Sequence, residues 1–225
     1  MLADAPGPGR LHFASYYRWL IIRDWLQVAP SDHLLDVGCD DGEITARVRA
    51  AQRMAVDLNP RCPDPTVRLA RSDATRLPVA SGRFQAVTAF DLIEHVGDDG
   101  AVLAEMVRAL APGGTLWIST PAVKWRIFPA FLTARAARAF GHVRNGYTVA
   151  DLQRRLPPGY ALAVMYWNEP VFRFLFTLLR VIDGVSSPLA RVLAGWCFQF
   201  DRRWRAGDAG HLFVRVARAP AGALQ

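Results

Sequence analysis

Leu34-Leu35-Asp36-Val37-Gly38-Cys39-Asp40-Asp41-Gly42-Glu43 is the stretch that decides the fold of this 225-residue chain. An apolar strand ends in an acid, passes through a glycine loop and enters a helix. Glycines allow backbone to approach a ligand closely, and a helix start offers free N–H groups. Ligands of open α/β sheets sit at this carboxyl edge. A dinucleotide loop needs G-x-G-x-x-G, whereas here three residues separate Gly38 from Gly42 and acids stand at positions 36, 40 and 41. So acidic a loop repels pyrophosphate and suits a cationic ligand. The competing reading is a plain glycine turn.

Working outward, strands and helices alternate. Residues 11–28 form an aromatic-rich helical pattern, and His33–Val37 is the first strand. A helix runs from Glu43 to about Ala51. Met54–Asp57, Val67–Arg71 and Phe84–Phe90 are three more strands, and a helix from Asp98 and Asp99 reaches Leu110. The turn Pro112-Gly113-Gly114 then leads to a fifth strand, Thr115–Ser119. Strands separated by helices of about ten residues predict a parallel α/β sheet. Acids recur at the strand ends: Asp57, 19 residues after Gly38, where a carboxylate can hold ribose hydroxyls; Asp73, placed to accept from an adenine amino group; and Asp91 in Phe90-Asp91-Leu92-Ile93-Glu94-His95-Val96. Singly each could be a helix cap. Four in order at one sheet edge are harder to explain that way.

These motifs resemble the class I S-adenosylmethionine-dependent methyltransferases, particularly the branch of quinone-biosynthesis and related small-molecule enzymes. The resemblance covers about residues 30–120 and rests on LLDVGCDDG, AVDLNP, RSDATRLP, FQAVTAFDLIEHV and LAPGGTLWISTP. It implies a Rossmann-like, doubly wound α/β fold: a mostly parallel seven-stranded sheet, its last strand antiparallel, with a helical insertion before that strand. It also implies S-adenosylmethionine as cofactor. Asp36 and Gly38 would lie against its methionine part, Asp57 would bind the ribose, Asp73 and Ala74 would flank the adenine, and Asp91 would sit at the pocket mouth; Cys39, Gly42 and Leu58 would also be cofactor-binding. Asp40 departs from the family pattern, standing where the loop usually has its middle glycine. Gly141–Thr148 resembles a segment that follows the fifth strand in many bacterial members.

The cofactor's sulfonium makes its methyl group electrophilic, so the protein mainly aligns a nucleophile and excludes water. A general base is needed only for a poorly ionised acceptor. His95 is the first candidate, with a packing histidine as the alternative; His142 and Tyr147 are weaker candidates that could orient substrate or cap the helix begun by Thr148 and Asp151. No metal ligands are expected.

Composition bounds the rest. With 52% hydrophobic and 21% charged residues the chain buries a core, so wholesale disorder is excluded. Cys39, Cys62 and Cys197 have neither disulfide-framework nor zinc spacing, which suits a reducing compartment. The start MLADAPGPGR lacks a secretory signal and no run of about 18 apolar residues occurs. The expected location is therefore the cytoplasm. Residues 1–119 carry 12 basic and 15 acidic side chains, and residues 120–225 carry 15 basic and 5 acidic. That asymmetry points the second half at something anionic. One domain over 1–225 is expected: an N-terminal helical segment (1–30), a cofactor half (31–120) and a substrate half (121–225).

In the substrate half, Trp125–Phe140 reads as a helical segment broken by Pro129 and placed to form a lid. Tyr160–Trp167 and Leu212–Ala217 read as strands six and seven. Between them, about residues 171–205, lie two amphipathic helices joined by Asp183–Pro188. Packing on the domain, a dimer interface and an arginine-flanked, peripheral membrane element at the inner face all remain open for them. The expected partner is a small acceptor, apolar or amphiphilic and open to being lipid-like, with O-methylation favoured; oligomeric state is not specified. A non-catalytic or nucleic-acid-directed protein of the same fold is the alternative. After strand four the chain reads Phe90-Asp91-Leu92-Ile93 instead of an Asn/Asp-Pro-Pro-aromatic run, which argues against base-amino methylation and makes nucleic acid the less favoured partner, and the loop spacing disfavours an NAD-dependent oxidoreductase.

Overall fold

The computed structural model describes residues 12–204, 207 and 209–219. The N-terminal residues read for a signal and Arg205, the last residue of the expected arginine-flanked helical pair, lie outside this range. In chain order the elements are α1 (Phe13–Trp25), β1 (His33–Val37), α2 (Glu43–Arg47), β2 (Gln52–Asp57), β3 (Arg68–Arg71), β4 (Phe84–Phe90), α3 (Asp99–Ala109), β5 (Leu110–Pro121), α4 (Thr133–Ala139), α5 (Val149–Arg155), β6 (Tyr160–Trp167), α6 (Pro170–Val185), α7 (Ser187–Asp201) and β7 (His211–Arg218).

The seven strands lie in the order β3-β2-β1-β4-β5-β7-β6. Only β7 runs against its neighbours, antiparallel to both β5 and β6. Chain direction across the sheet reverses between β1 and β4, so the loops leaving them diverge and open a crevice at the strands' carboxyl ends. Strand periodicity sends neighbouring side chains to opposite faces. Leu35, Val87 and Leu116 pack with Leu103 and Met106 of α3, while Leu34, Ala86, Trp117 and Phe213 pack with α1, α6 and α7. The result is a sheet covered by helices on both faces.

Local chemistry sets the helix ends. Asp98 accepts from the Ala101 amide at 2.9 Å to start α3, and Thr148 with Asp151 forms a capping box at the start of α5. Asp201, at the end of α7, accepts from the amides of Val171 and Phe172 at 2.8 and 3.0 Å, closing the α6–α7 hairpin on itself.

Several boundaries differ from the sequence reading. Helix α2 stops at Arg47 because parallel pairing of His33 with Gln52 draws residues 52 and 53 into β2. β5 begins at Leu110, which pairs with Phe84 across a register shift; a Cβ on Gly114 would sit 2.9 Å from the Phe84 carbonyl, so only glycine fits there. Within Trp125–Phe140 only residues 130–139 are helical. Buried Trp125 and Ile127 hold the preceding stretch in irregular backbone. A single residue, Ser186, separates α6 from α7, a much shorter joint than Asp183–Pro188.

Candidate active site

The loops after β1, β2, β3 and β4 enclose a cleft of two adjoining cavities, about 470 and 280 Å³. Asp36, Gly38, Cys39, Asp57 and Asp91 line the first, and Leu58, Asp73 and Ala74 line the second beside Gly38 and Asp57. Eight of the nine residues expected along a cofactor therefore come together. The ninth, Gly42, is not among the residues lining these two cavities: its φ of +68° and a would-be Cβ 2.3 Å from the Arg61 carbonyl seat it against the Arg61–Cys62 segment. Asp40 adopts φ +48°, the left-handed backbone that explains a glycine in the family pattern.

Each acid is held differently. Asp57 accepts from the Asp40 and Asn59 amides at 3.1 and 3.0 Å, which orients its carboxylate along the cleft wall. Asp73 accepts from the amide and hydroxyl of Thr75, both at 2.8 Å through one oxygen, and these bonds hold its pKa low. Asp36 is buried and accepts from the hydroxyls of Thr45 and Thr88; burial pushes its carboxyl up to about 6 despite those bonds. Asp91 accepts from the Ser119 hydroxyl at 2.8 Å and from Arg18 Nε at 2.9 Å. Burial would raise its carboxyl, but the guanidinium beside it keeps it below the ordinary range.

A third cavity, about 480 Å³, meets the cleft at Arg18, Asp91 and His95, which line both. Trp125, Phe140, Phe172 and Phe176 supply aromatic walls, and Glu94, His142, Glu169 and His211 supply polar ones. Arg18 Nη2 donates to His211 Nε2 at 2.8 Å, so the ring's other nitrogen carries the proton and donates to Glu169 at 2.5 Å. Burial works to raise Glu169, yet His211 and the guanidinium groups of Arg18 and Arg173 hold it low. Arg18 Nη1, Glu94 Oε1, Glu169 Oε2 and His142 Nδ1 are buried without a hydrogen-bond partner, although Arg18 Nη1 and Glu169 Oε2 face each other as an ion pair at 3.9 Å; all four belong to residues of one cavity wall. Among these wall residues, sequence reasoning missed Arg18, Glu169 and His211. The available signal was an ionisable residue inside or at the edge of an apolar run: Arg18 within YYRWL, Glu169 just past β6, His211 opening β7.

His95 sits where the cleft and the aromatic cavity join. The His142 ring lies edge-on to it at 4.8 Å, and burial together with His95 pushes His142 down to about 4. Glu94 accepts from the Thr120 hydroxyl at 3.0 Å; burial, aided by Asp91, pushes it up to about 8. Glu94, His95 and His142 each offer one ligand atom within 4.8 Å of the others, a grouping that could hold a metal ion and that the sequence did not announce. Tyr147 is corrected: it is buried in the core, its hydroxyl 2.9 Å from the Ile93 carbonyl and 2.8 Å from Asp99, and it does not line the aromatic cavity. It positions the turn that carries Glu94 and His95.

Residues 13–157 match the family described as a methyltransferase domain. Over 205 residues the chain is 32% identical to a demethylmenaquinone methyltransferase of Mycolicibacterium vanbaalenii, covering 87% of this chain and 80% of that protein. It is 34% identical over 136 residues to a ubiquinone biosynthesis O-methyltransferase of Xanthomonas oryzae, covering 52% of this chain and 54%, about half, of that one. In fold it is similar to phosphoethanolamine N-methyltransferase 2 of Haemonchus contortus, solved with S-adenosyl-L-methionine (TM-score 0.61, 18% identity, 90% of this chain and 52% of that one). The cleft fits such a cofactor: a carboxylate fixed by two amides suits a ribose, and Asp36 and Asp91 line the stretch that a sulfonium would occupy. With the family matched over more than half its length and an acid-lined cleft at the switch point of its sheet, this chain belongs to the class I S-adenosylmethionine-dependent methyltransferases of quinone-biosynthesis type.

Proposed function

We propose that the chain methylates a hydroxyl oxygen of a small, apolar or amphiphilic acceptor of lipid-like character. The observation that supports this most directly is the aromatic-walled cavity opening onto the cofactor cleft at Asp91 and His95. Its walls suit a flat ring and an apolar tail, and its polar atoms without hydrogen-bond partners suit a ring bearing hydroxyl or carbonyl oxygens. Relatives described as acting in ubiquinone biosynthesis and on demethylmenaquinone favour that acceptor class.

The bound cofactor would supply an electrophilic methyl group. Asp57 would hold the ribose hydroxyls and Asp36 would face the positive sulfur. On the acceptor side, Trp125, Phe140, Phe172 and Phe176 exclude water and align the ring. His95, at the junction, takes the hydroxyl proton as the oxygen attacks. His142, kept neutral by burial, lies behind it. Arg18 and the Glu169–His211 pair orient the acceptor's second oxygen. The test is mass spectrometry of the protein incubated with S-adenosylmethionine and a panel of catechols and hydroxyquinols, with and without an isoprenoid tail. A gain of one methyl on oxygen, faster for tailed acceptors, is expected. Cofactor binding without transfer to any hydroxylated ring, or transfer only to amines or ring carbon, would overturn the reading.

A further inference from the structure

The outward faces of α6 and α7 are apolar and uncovered. On α6, Phe174, Leu178, Val181 and Val185 are each more than half exposed; on α7, Leu189, Val192, Trp196 and Phe200 are between 49% and 65% exposed. Their spacings of three and four put each set on one helical face. The helices pack on their own domain through the other side, where Phe172, Leu179, Ala190, Ala194 and Phe198 are buried. Phe128 stacks on Phe174 at 4.6 Å and extends the apolar surface toward Phe131, which is 80% exposed. Soluble monomers rarely expose so large an apolar surface.

The charges around this face select its occupant. Among the described residues from 170 to 204, every exposed charge is an arginine: Arg180, Arg202 and Arg203. The acids turn inward, Asp183 to His12 at 3.3 Å and Asp201 to the start of α6. The neighbouring stretch from 122 to 140 exposes Lys124, Arg126, Arg135 and Arg138 and contains no acid. A second copy of this chain would bring arginine against arginine, whereas an anionic headgroup complements them.

We propose that this face lies in the headgroup region of an anionic phospholipid bilayer, with α6 and α7 parallel to the surface. Among the described residues no helix is long and apolar enough to cross, so attachment is peripheral. The acceptor cavity reaches the same edge: Phe140, Phe176 and Arg180 line it, and the Arg180 guanidinium lies 5.4 Å from the Phe140 ring centre. A lipid-like acceptor would then pass from the bilayer into the cavity. The inference rests on the proposed acceptor for its purpose only, since the face and its charges stand without it.

The test is co-sedimentation of the whole protein, without cofactor or acceptor, with vesicles of phosphatidylglycerol and phosphatidylcholine or of phosphatidylcholine alone. Binding to the anionic vesicles should be about tenfold tighter or more at low salt, and salt should release it. Leu178→Glu with Trp196→Glu should weaken binding about tenfold or more, and Arg202→Gln with Arg203→Gln should weaken only the anionic-vesicle component. S-adenosylmethionine affinity, read by calorimetry, should stay unchanged in both variants and so verify folding. Indifference to anionic vesicles at low salt, or unchanged binding by the glutamate variant, overturns the proposal. So does a concentration-dependent dimer that the glutamate variant abolishes while vesicles are ignored, because a second copy would then cover the face. Since no turnover is measured, a wrong acceptor class leaves this result standing, and failure here leaves the acceptor class standing.

Discussion

Arg18 in α1 donates through Nε to the carboxylate of Asp91 at 2.9 Å, joining residues 73 positions apart. The bond ties the N-terminal helix to the end of β4 at the point where the acid-lined cleft and the aromatic cavity meet. Both side chains line both spaces, so α1 is a wall of the site as well as a packing element.

Removing that cation should be costly. Arg18→Met leaves buried Glu169 and partly exposed Asp91 without their guanidinium; breaking a buried pair from one side costs about 3–5 kcal/mol, and solvent at Asp91 puts this loss at the lower end, about 3 kcal/mol. For a chain of this size the melting temperature should fall by roughly 10 °C. Differential scanning calorimetry checks it, and Arg18→Met with Asp91→Asn should recover part of the loss. A melting temperature matching the wild type would mean that the tie carries no stability.

Asp57→Ala should weaken S-adenosylmethionine binding by about 1.5–3 kcal/mol, roughly 10- to 150-fold, because two ribose hydroxyls lose a charged acceptor. Calorimetric titration showing unchanged affinity would remove Asp57 from the ribose.

Cofactor affinity should rise with pH between about 5 and 7. Asp36 ionises near 6 in the free protein because it is buried, and a sulfonium cation favours the ionised form, so binding releases a proton. The slope is at most about one decade per pH unit. The stability effect has the opposite sense: a carboxyl raised from 3.8 favours the folded apo-protein most below pH 4, and that contribution is lost as pH rises through 6. Titrations in two buffers of different ionisation heat count the proton. Asp36→Asn should flatten the profile; a profile the variant shares with the wild type would assign the proton elsewhere.

His95→Ala should lower turnover about 100-fold or more while S-adenosylmethionine affinity stays nearly intact. Single-turnover rates across pH separate the two effects. An unaffected rate at every pH would make His95 a packing residue and move proton transfer to another wall of the cavity.

How far the sequence was legible follows from the range of each interaction. Asp36 with Gly38, Asp57, Asp73 and Asp91 could be read as one edge because they sit at or just past the ends of four strands, β1 to β4, and parallel strands deliver their ends to one edge whatever else packs around them. Helix lengths and strand starts were less legible: β2 and β5 begin earlier than their apolar runs because a paired neighbour, not a propensity, extends them. Tyr147 was misread because a hydroxyl within a polar segment gives no sign of the buried carbonyl that accepts from it.

By itself the sequence determined the parallel α/β sheet and the row of acids along its carboxyl edge, since both follow from strand–loop–helix units a few residues long; the doubly wound order was implied by the family resemblance, and the strand order that sets its switch point came from the structure. Only the tertiary structure decided the aromatic cavity beside the acid-lined cleft. Arg18 and His211 meet at 2.8 Å across 193 positions, and Glu169 joins them from beyond β6. It also decided which face of α6 and α7 is spent on the core and which stays bare. A helix apolar on two sides has no preferred side until α1 and the sheet take one of them.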